Sequence, residues 1–351
     1  MADLNRDDRG QIILIAAFAL AVTFVALALI VNSAIFTENL ASRGETAGSD
    51  DALAMRAMVE TNAGYALDDA NRYNYSTDSV RDEAITFAVN NTSMQTEQQQ
   101  AMTGTLVNVS YRPGDPGANV DGRRIAQNSS TGDDFTSTSG SANYVVAEDV
   151  TRSGIAGENA TRAFVINASE IDGSNNATSF EIEVRDDSLA ASGNTNTWQM
   201  HIWNPTGDVV RVVVVKNDGG SVTREACEVT KKHSFVRIDV TGGTVAAEPC
   251  DALGITSSGE NMHFAAGAPD GPIEDYKIRF KNATAMHGNY SMVVRGSSLL
   301  NTNVDEGALG ITPGDPYWTD AYYEITVEYS YDTPNLRYVT DIRVAPGEPD
   351  A

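Results

Sequence analysis

Residues Ile12 to Val31 form a run of twenty residues that is apolar apart from Thr23, and no charge occurs between Gln11 and Thr37. As a helix this run is about 30 Å long, the thickness of a bilayer core. It is apolar around its whole circumference, which excludes an ordinary amphipathic surface helix. A cleaved secretory signal has a shorter apolar core followed by a small-residue cleavage site. Here the run is longer, and "NSAIFTENLASR" continues without a breaker to Gly44. The segment is therefore expected to stay with the mature chain. Arg6 and Arg9 precede the run and Arg43 is the one basic residue soon after it, which places the N-terminus inside and the remainder outside.

Charge narrows the partners. The chain carries 48 acidic and 24 basic residues for a net charge of −24, with Arg outnumbering Lys 19 to 5. Such a field repels nucleic acid, which is excluded as a partner. An acidic, Lys-poor surface suits high salt, where a Debye length of about 3 Å at 1 M screens self-repulsion. Ten Asn-X-Ser/Thr sequons follow the apolar run, at Asn74, Asn90, Asn91, Asn108, Asn128, Asn159, Asn167, Asn176, Asn282 and Asn289. They point to a glycosylated outer surface. Cys227 and Cys250 flank an expected hairpin, and an oxidising compartment allows them to form a disulfide; two free thiols are the alternative.

The leader "MADLNRDDRG" ends in Arg9-Gly10 directly before Gln11 and the apolar run. This junction resembles the class III signal peptides of archaeal prepilins and prearchaellins. The stretch from Arg9 to about Arg43 is similar to haloarchaeal pilin-like membrane proteins. The resemblance implies that a prepilin peptidase cuts between Gly10 and Gln11, with Arg9 as the basic residue before the cut. It implies that the retained helix serves as membrane anchor and then as filament packing surface, with other pilin-like subunits as partners. Bacterial-type pilins carry Glu at the fifth mature position, where this chain has Ile15, and archaellin helices begin with a Gly-containing stretch, where this one begins "QIILIAA". These departures favour an accessory subunit over a bulk one. An uncleaved single-pass anchor for a binding module, and an anchored extracellular hydrolase, are the alternatives.

Beyond the run, Ser49 or Asp50 caps an expected helix through Tyr73. Asp78 or Ser79 caps a second, with Val80, Ala84, Phe87 and Ala88 as its apolar face. After Gly104 the texture changes to short β-branched runs between turn residues, without intervening helices. This predicts an antiparallel sandwich. The stretch 112–143 reads as a polar loop. The clearest hairpin puts Tyr323, Ile325, Val327, Tyr329 and Tyr331 on one face and returns through Tyr338, Thr340, Ile342 and Val344. The expected fold is α+β, with a leader (1–10), a transmembrane or assembly helix (11–37), a helical stalk (38–103), a β-rich extracellular head (104–345) and a tail (346–351).

Chemistry-bearing motifs are sparse. His201, His233, His263 and His287 lack ligand spacing, and there is no nucleophile elbow or phosphate loop. Asp305, Glu306, Asp315 and Asp320 read as solvated charge. Trp198 and Trp203 lie at odd separation in one strand, so at least one is expected in the core. Trp318, Tyr317, Tyr322 and Tyr323 are further aromatics near the C-terminus. No metal, cofactor or enzymatic activity is expected, and the role is read as structural or adhesive.

Overall fold

The computed structural model describes residues 20, 24, 27, 31, 49–128, 133–151, 160–186, 196–268, 275–296, 304–305 and 307–349. The leader, residues 32–48 and most of the apolar run therefore lie outside the described residues. Among the described residues, no helix is long and apolar enough to cross a membrane.

Two helices come first, α1 (49–73) and α2 (Asp78–Ala101). Then come β1 (Leu106–Ser110), β2 (Asn119–Gln127), β3 (Tyr144–Thr151), β4 (Thr161–Ile171) and β5 (Phe180–Asp186). They are followed by β6 (Thr197–Trp203), β7 (Val209–Asn217), β8 (Val222–Thr230), β9 (Val236–Asp239) and β10 (Thr244–Val245). The last five are β11 (Glu248–Pro249), β12 (Asp275–Lys281), β13 (Met286–Arg295), β14 (Tyr317–Asp332) and β15 (Arg337–Val344). The fold is α+β and sandwich-like. A nine-stranded sheet runs β1-β14-β2-β13-β4-β9-β10-β11, with β15 also on β14, and a six-stranded sheet runs β3-β12-β5-β6-β7-β8.

The alternating strands bury one face of each sheet in a shared core. Phe164, Ile166, Ile238, Tyr290 and Met292 from the larger sheet meet Phe180, Ile182, Trp198, Val212 and Phe280 from the smaller. Phe280 sits at the centre, with Phe180 at 5.1 Å and Tyr290 at 5.2 Å edge-on. Trp198 and Trp203 are both buried, and Trp198 donates Nε1–H to the Met262 carbonyl.

β14 is long enough to serve two cores. Ile325 pairs with Asn119 of β2 on one edge and Val344 of β15 on the other. Tyr329 likewise lies between Val109 of β1 and Thr340 of β15, so β1 and β2 follow one another along the same β14 edge. The far half of β14 builds a second core with β1, β15 and the helices, through Tyr329, Val107, Ile342, Leu67 and Ile85. The helices of residues 49–101 are thus a layer packed on the sheet. This corrects, for those residues, the expectation of a stalk separate from the head.

Three further corrections have local causes. The N-cap of α2 is Thr77, whose hydroxyl accepts from the Val80 amide, in place of Asp78 or Ser79. The buried face of α2 is Arg81, Ile85, Val89, Ser93 and Thr96, while Val80 and Phe87 face out. Arg81 reaches the core because its guanidinium bonds the Tyr75 and Asp320 carbonyls and lies over the Tyr322 ring. In β14 a bulge between Tyr322 and Glu324 shifts the register by one. Tyr322 takes the place with Ile325 and Tyr329 that the alternation assigns to Tyr323, and Tyr323 packs instead on Val293 and Ala321.

The largest revision is β2. Residues 112–143 contain this nine-residue strand between β14 and β13, where a polar loop was expected. Gly122 is required there: a Cβ would come within 2.5 Å of the Val294 carbonyl.

Candidate functional site

On the larger sheet, residues that alternate with the core positions point the other way. Register sets them in rows. Arg237, Asn167 and Asn289 lie side by side across β9, β4 and β13. The next row is Asp239, Val165, Ser291, Ala126 and Tyr317, and Val293, Arg124 and Thr319 form a third. The C-terminal end of α1 overhangs these rows with Asp68, Asn71 and Arg72, followed by Tyr73 and Tyr75. Between overhang and floor lies a groove of about 690 Å³, within the range typical of ligand sites.

The overhang is held by a buried node. Asn71 brackets the Tyr322 peptide, donating Nδ2–H to its carbonyl and accepting its N–H at Oδ1, both at 2.8 Å. Arg162 is fully buried and donates to the Tyr323 carbonyl at 2.5 Å, the Tyr322 carbonyl at 3.2 Å, the Pro346 carbonyl at 3.1 Å and Asp68 Oδ1 at 2.8 Å. The unpaired backbone that a β-bulge exposes is therefore what fixes α1 over the sheet. On α2, Asp82 accepts the hydroxyls of Tyr111 and Tyr322. Burial first, then the Asp82 carboxylate, pushes the Tyr322 hydroxyl well above its ordinary pKa.

Within the groove, Arg124 is 7% exposed; its Nη1 donates to Tyr317 Oη at 2.8 Å and its guanidinium lies 5.7 Å from that ring's centre. Arg72 lies 5.9 Å from the Tyr73 ring. Arg237 pairs with Asp239 at 3.5 Å. Asn167 donates Nδ2–H to Asn289 Oδ1 at 3.1 Å.

The residues singled out in the sequence distribute differently. Arg9, Gly10, Gln11, Asn159 and Glu306 lie outside the described residues. Cys227 of β8 is bonded to Cys250, with Cα atoms 5.5 Å apart, tying the edge of the smaller sheet to the chain just after β11 of the larger. Asn167 and Asn289 meet in the groove and Asn128 lies at its rim, whereas Asn90, Asn108 and Asn176 are scattered and exposed. Asp305 accepts from the Gly307 amide and Asp320 pairs with Arg123. His201 Nδ1 lies 3.2 Å from Ser179 Oγ and 4.0 Å from Glu181, so one ring nitrogen faces both groups. A relay needs them on opposite nitrogens, and Ser179 is fully buried. The groove residues Arg72, Arg124 and Arg237 were not singled out, because 165 positions separate the first from the last and no local motif joins them.

The fold and groove define a disulfide-closed β-sandwich with a helical layer and a cationic surface cleft. Residues 6–182 match a family of unknown function, DUF7261; they are half of the chain, and the chain belongs to this family. The match contributes Arg72, Arg124 and Asn167 to the groove, while Arg237, Asn289 and Tyr317 come from beyond it. No curated protein and no solved structure matches the chain.

Proposed function

We propose that this chain is a cell-surface, pilin-like accessory subunit with a structural or adhesive role. It is held by the helix of residues 11–37, with its N-terminus cytoplasmic and its head outside. The observation that carries the reading is the twenty-residue apolar run Ile12 to Val31 placed directly after the Arg9-Gly10-Gln11 junction. The Cys227–Cys250 bridge is consistent with an oxidising exterior. In this reading a prepilin-type peptidase cuts between Gly10 and Gln11, removing Arg6 and Arg9 and freeing the helix for a filament. Dragging those charges through lipid would cost about 3 kcal/mol each on insertion scales.

Mass spectrometry of the N-terminal peptide from native membranes tests it. A chain that begins at Gln11, with processing lost in Gly10→Val, is the expected result. A chain that begins at Met1 or Ala2 in cells with active prepilin peptidase removes the pilin-like role. It leaves the second reading, an uncleaved membrane-anchored binding module, which the cationic groove favours.

A further inference from the structure

We propose that the groove beneath the end of α1 binds an acidic saccharide, a chain of sugars carrying carboxylate or sulfate groups. The inference deepens the reading of the head as an extracellular binding module and rests on it.

Charge is the first support. In a chain with twice as many acidic as basic residues, the groove is lined by Arg72, Arg124 and Arg237. Of the two carboxylates beside it, Asp68 is held by Arg162 at 2.8 Å and Asp239 lies 3.5 Å from Arg237. Neither Arg72 nor Arg124 has a carboxylate partner among the described residues. Arg124 matters most, because a nearly buried guanidinium is stabilised by an anion brought to it and is screened little by salt.

The spacing is the second support. Arg237 and Arg124 stand three strands apart across the sheet, and four residues apart along it, by register. With strands about 4.8 Å apart and about 3.4 Å per residue, their backbones are about 20 Å apart. No single acid group spans that distance, so the ligand is a polymer with repeated charge. Three lining cations match a short chain with few charges, and the net field of −24 disfavours long, densely charged polyanions, nucleic acid included.

The floor between the cations is the third support. Asn167, Asn289 and Ser291 offer amide and hydroxyl groups at the spacing of adjacent strands, suited to sugar hydroxyls. Tyr73, 69% exposed at the rim, offers an aromatic face to a sugar ring. The floor also carries Val165 and Val293, so preference over an acidic peptide rests on the row of Asn167, Asn289 and Ser291 that matches sugar hydroxyls.

The test uses the full-length protein in detergent at fixed salt. A galacturonic acid hexamer and a heparin-derived hexamer are the probes, with maltohexaose and poly-glutamate as comparisons. Glycopeptides released from the protein itself, added as competitors, separate a free polymer from sugars borne by a second copy; competition or its absence names the source once an acidic probe binds. At least one acidic hexamer is expected to bind about tenfold more tightly than maltohexaose and poly-glutamate, and Arg72→Ala with Arg237→Ala to weaken it about tenfold. Both side chains are solvent-facing, so thermal unfolding of the double variant should match the parent and certify its fold. Equal binding of maltohexaose or poly-glutamate, no binding of either acidic hexamer, indifference to the double variant, or a native glycan on Asn289 filling the groove would each overturn the proposal. None of these outcomes bears on the Gly10–Gln11 bond, so this inference and the pilin-like reading fail separately.

Discussion

Arg162 of β4, with no exposed surface, holds Asp68 of α1 at 2.8 Å across 94 positions of sequence. The same guanidinium binds three backbone carbonyls, at Tyr322, Tyr323 and Pro346. Removing it leaves several buried acceptors unpaired at once. Arg162→Met is expected to destabilise the protein by about 3–5 kcal/mol. Asp68→Asn should cost only about 1 kcal/mol, because that carboxylate is 42% exposed and solvent replaces much of the pair. Urea unfolding of the two variants separates them. Equal, small losses would mean that the bulge does not depend on this side chain.

Much of the β architecture was legible because strands of a sandwich alternate. The β14–β15 hairpin has the pairs that the alternation of Ile325, Val327 and Tyr329 indicates, opposite Val344, Ile342 and Thr340. What was hidden has physical reasons. β2 shows no clean alternation because Arg124 faces a polar groove and Gly122 fills a position with no room for a Cβ. The buried face of α2 is led by Arg81, which hydropathy reads as exposed, while Val80 and Phe87 read as buried and are not. The Tyr322–Tyr323 reversal needs the bulge, which depends on Arg162 and Asn71 from distant segments. The groove is assembled from five strands and a helix end, so no stretch of sequence announces it.

The Cys227–Cys250 bridge closes a loop of separation 23 between the two sheets. Restricting the unfolded chain by that loop is worth about 3 kcal/mol on the chain-entropy estimate. A Cys227→Ser/Cys250→Ala variant should therefore unfold at lower urea, with secondary structure retained by circular dichroism. An unchanged midpoint would show that the sandwich edges are held by packing alone.

Glu183 of β5 gives the acid limb a particular shape. Burial alone would raise its carboxyl; bonds from Lys281 and Gln199 and the nearby Arg279 outweigh that and hold it below the ordinary glutamate range. A depressed folded pKa stabilises fully above the unfolded value, about 4.3, and the benefit is lost as pH falls through the lower folded value. Glu183→Gln is expected to cost about 2 kcal/mol at neutral pH. The gap to the parent should close as pH drops below about 4. Denaturant midpoints across that range check it; a gap that stays constant with pH would exclude ionisation of Glu183 as its origin.

Glycan occupancy should follow the amide nitrogen. An asparagine can be modified only where its Nδ2 is accessible, and a nitrogen already donating within a folded sheet is not. Asn167 donates to Asn289, and Asn282 donates to the Ser179 carbonyl at 3.1 Å from a left-handed backbone position. Both are expected bare. Asn90 on the outer side of α2, Asn108 on β1 and Asn176 in the turn before β5 are exposed and are expected to carry sugar. Asn90 and Asn91 share a sequon overlap, so one of the two should be occupied in any single molecule. Glycopeptide mass spectrometry of protein from its native membrane reads all of these sites together. Sugar on Asn90 or Asn91, on Asn108 and on Asn176, with Asn167 and Asn282 unmodified, ties modification to the finished fold. Sugar on Asn167 would mean that the chain is modified before β4 pairs with β13, and sugar on Asn282 that it is modified before that side chain reaches the Ser179 carbonyl; the folded positions of the asparagines would then not govern occupancy. Sugar at no site would remove the extracellular placement of the head that the sequons suggest.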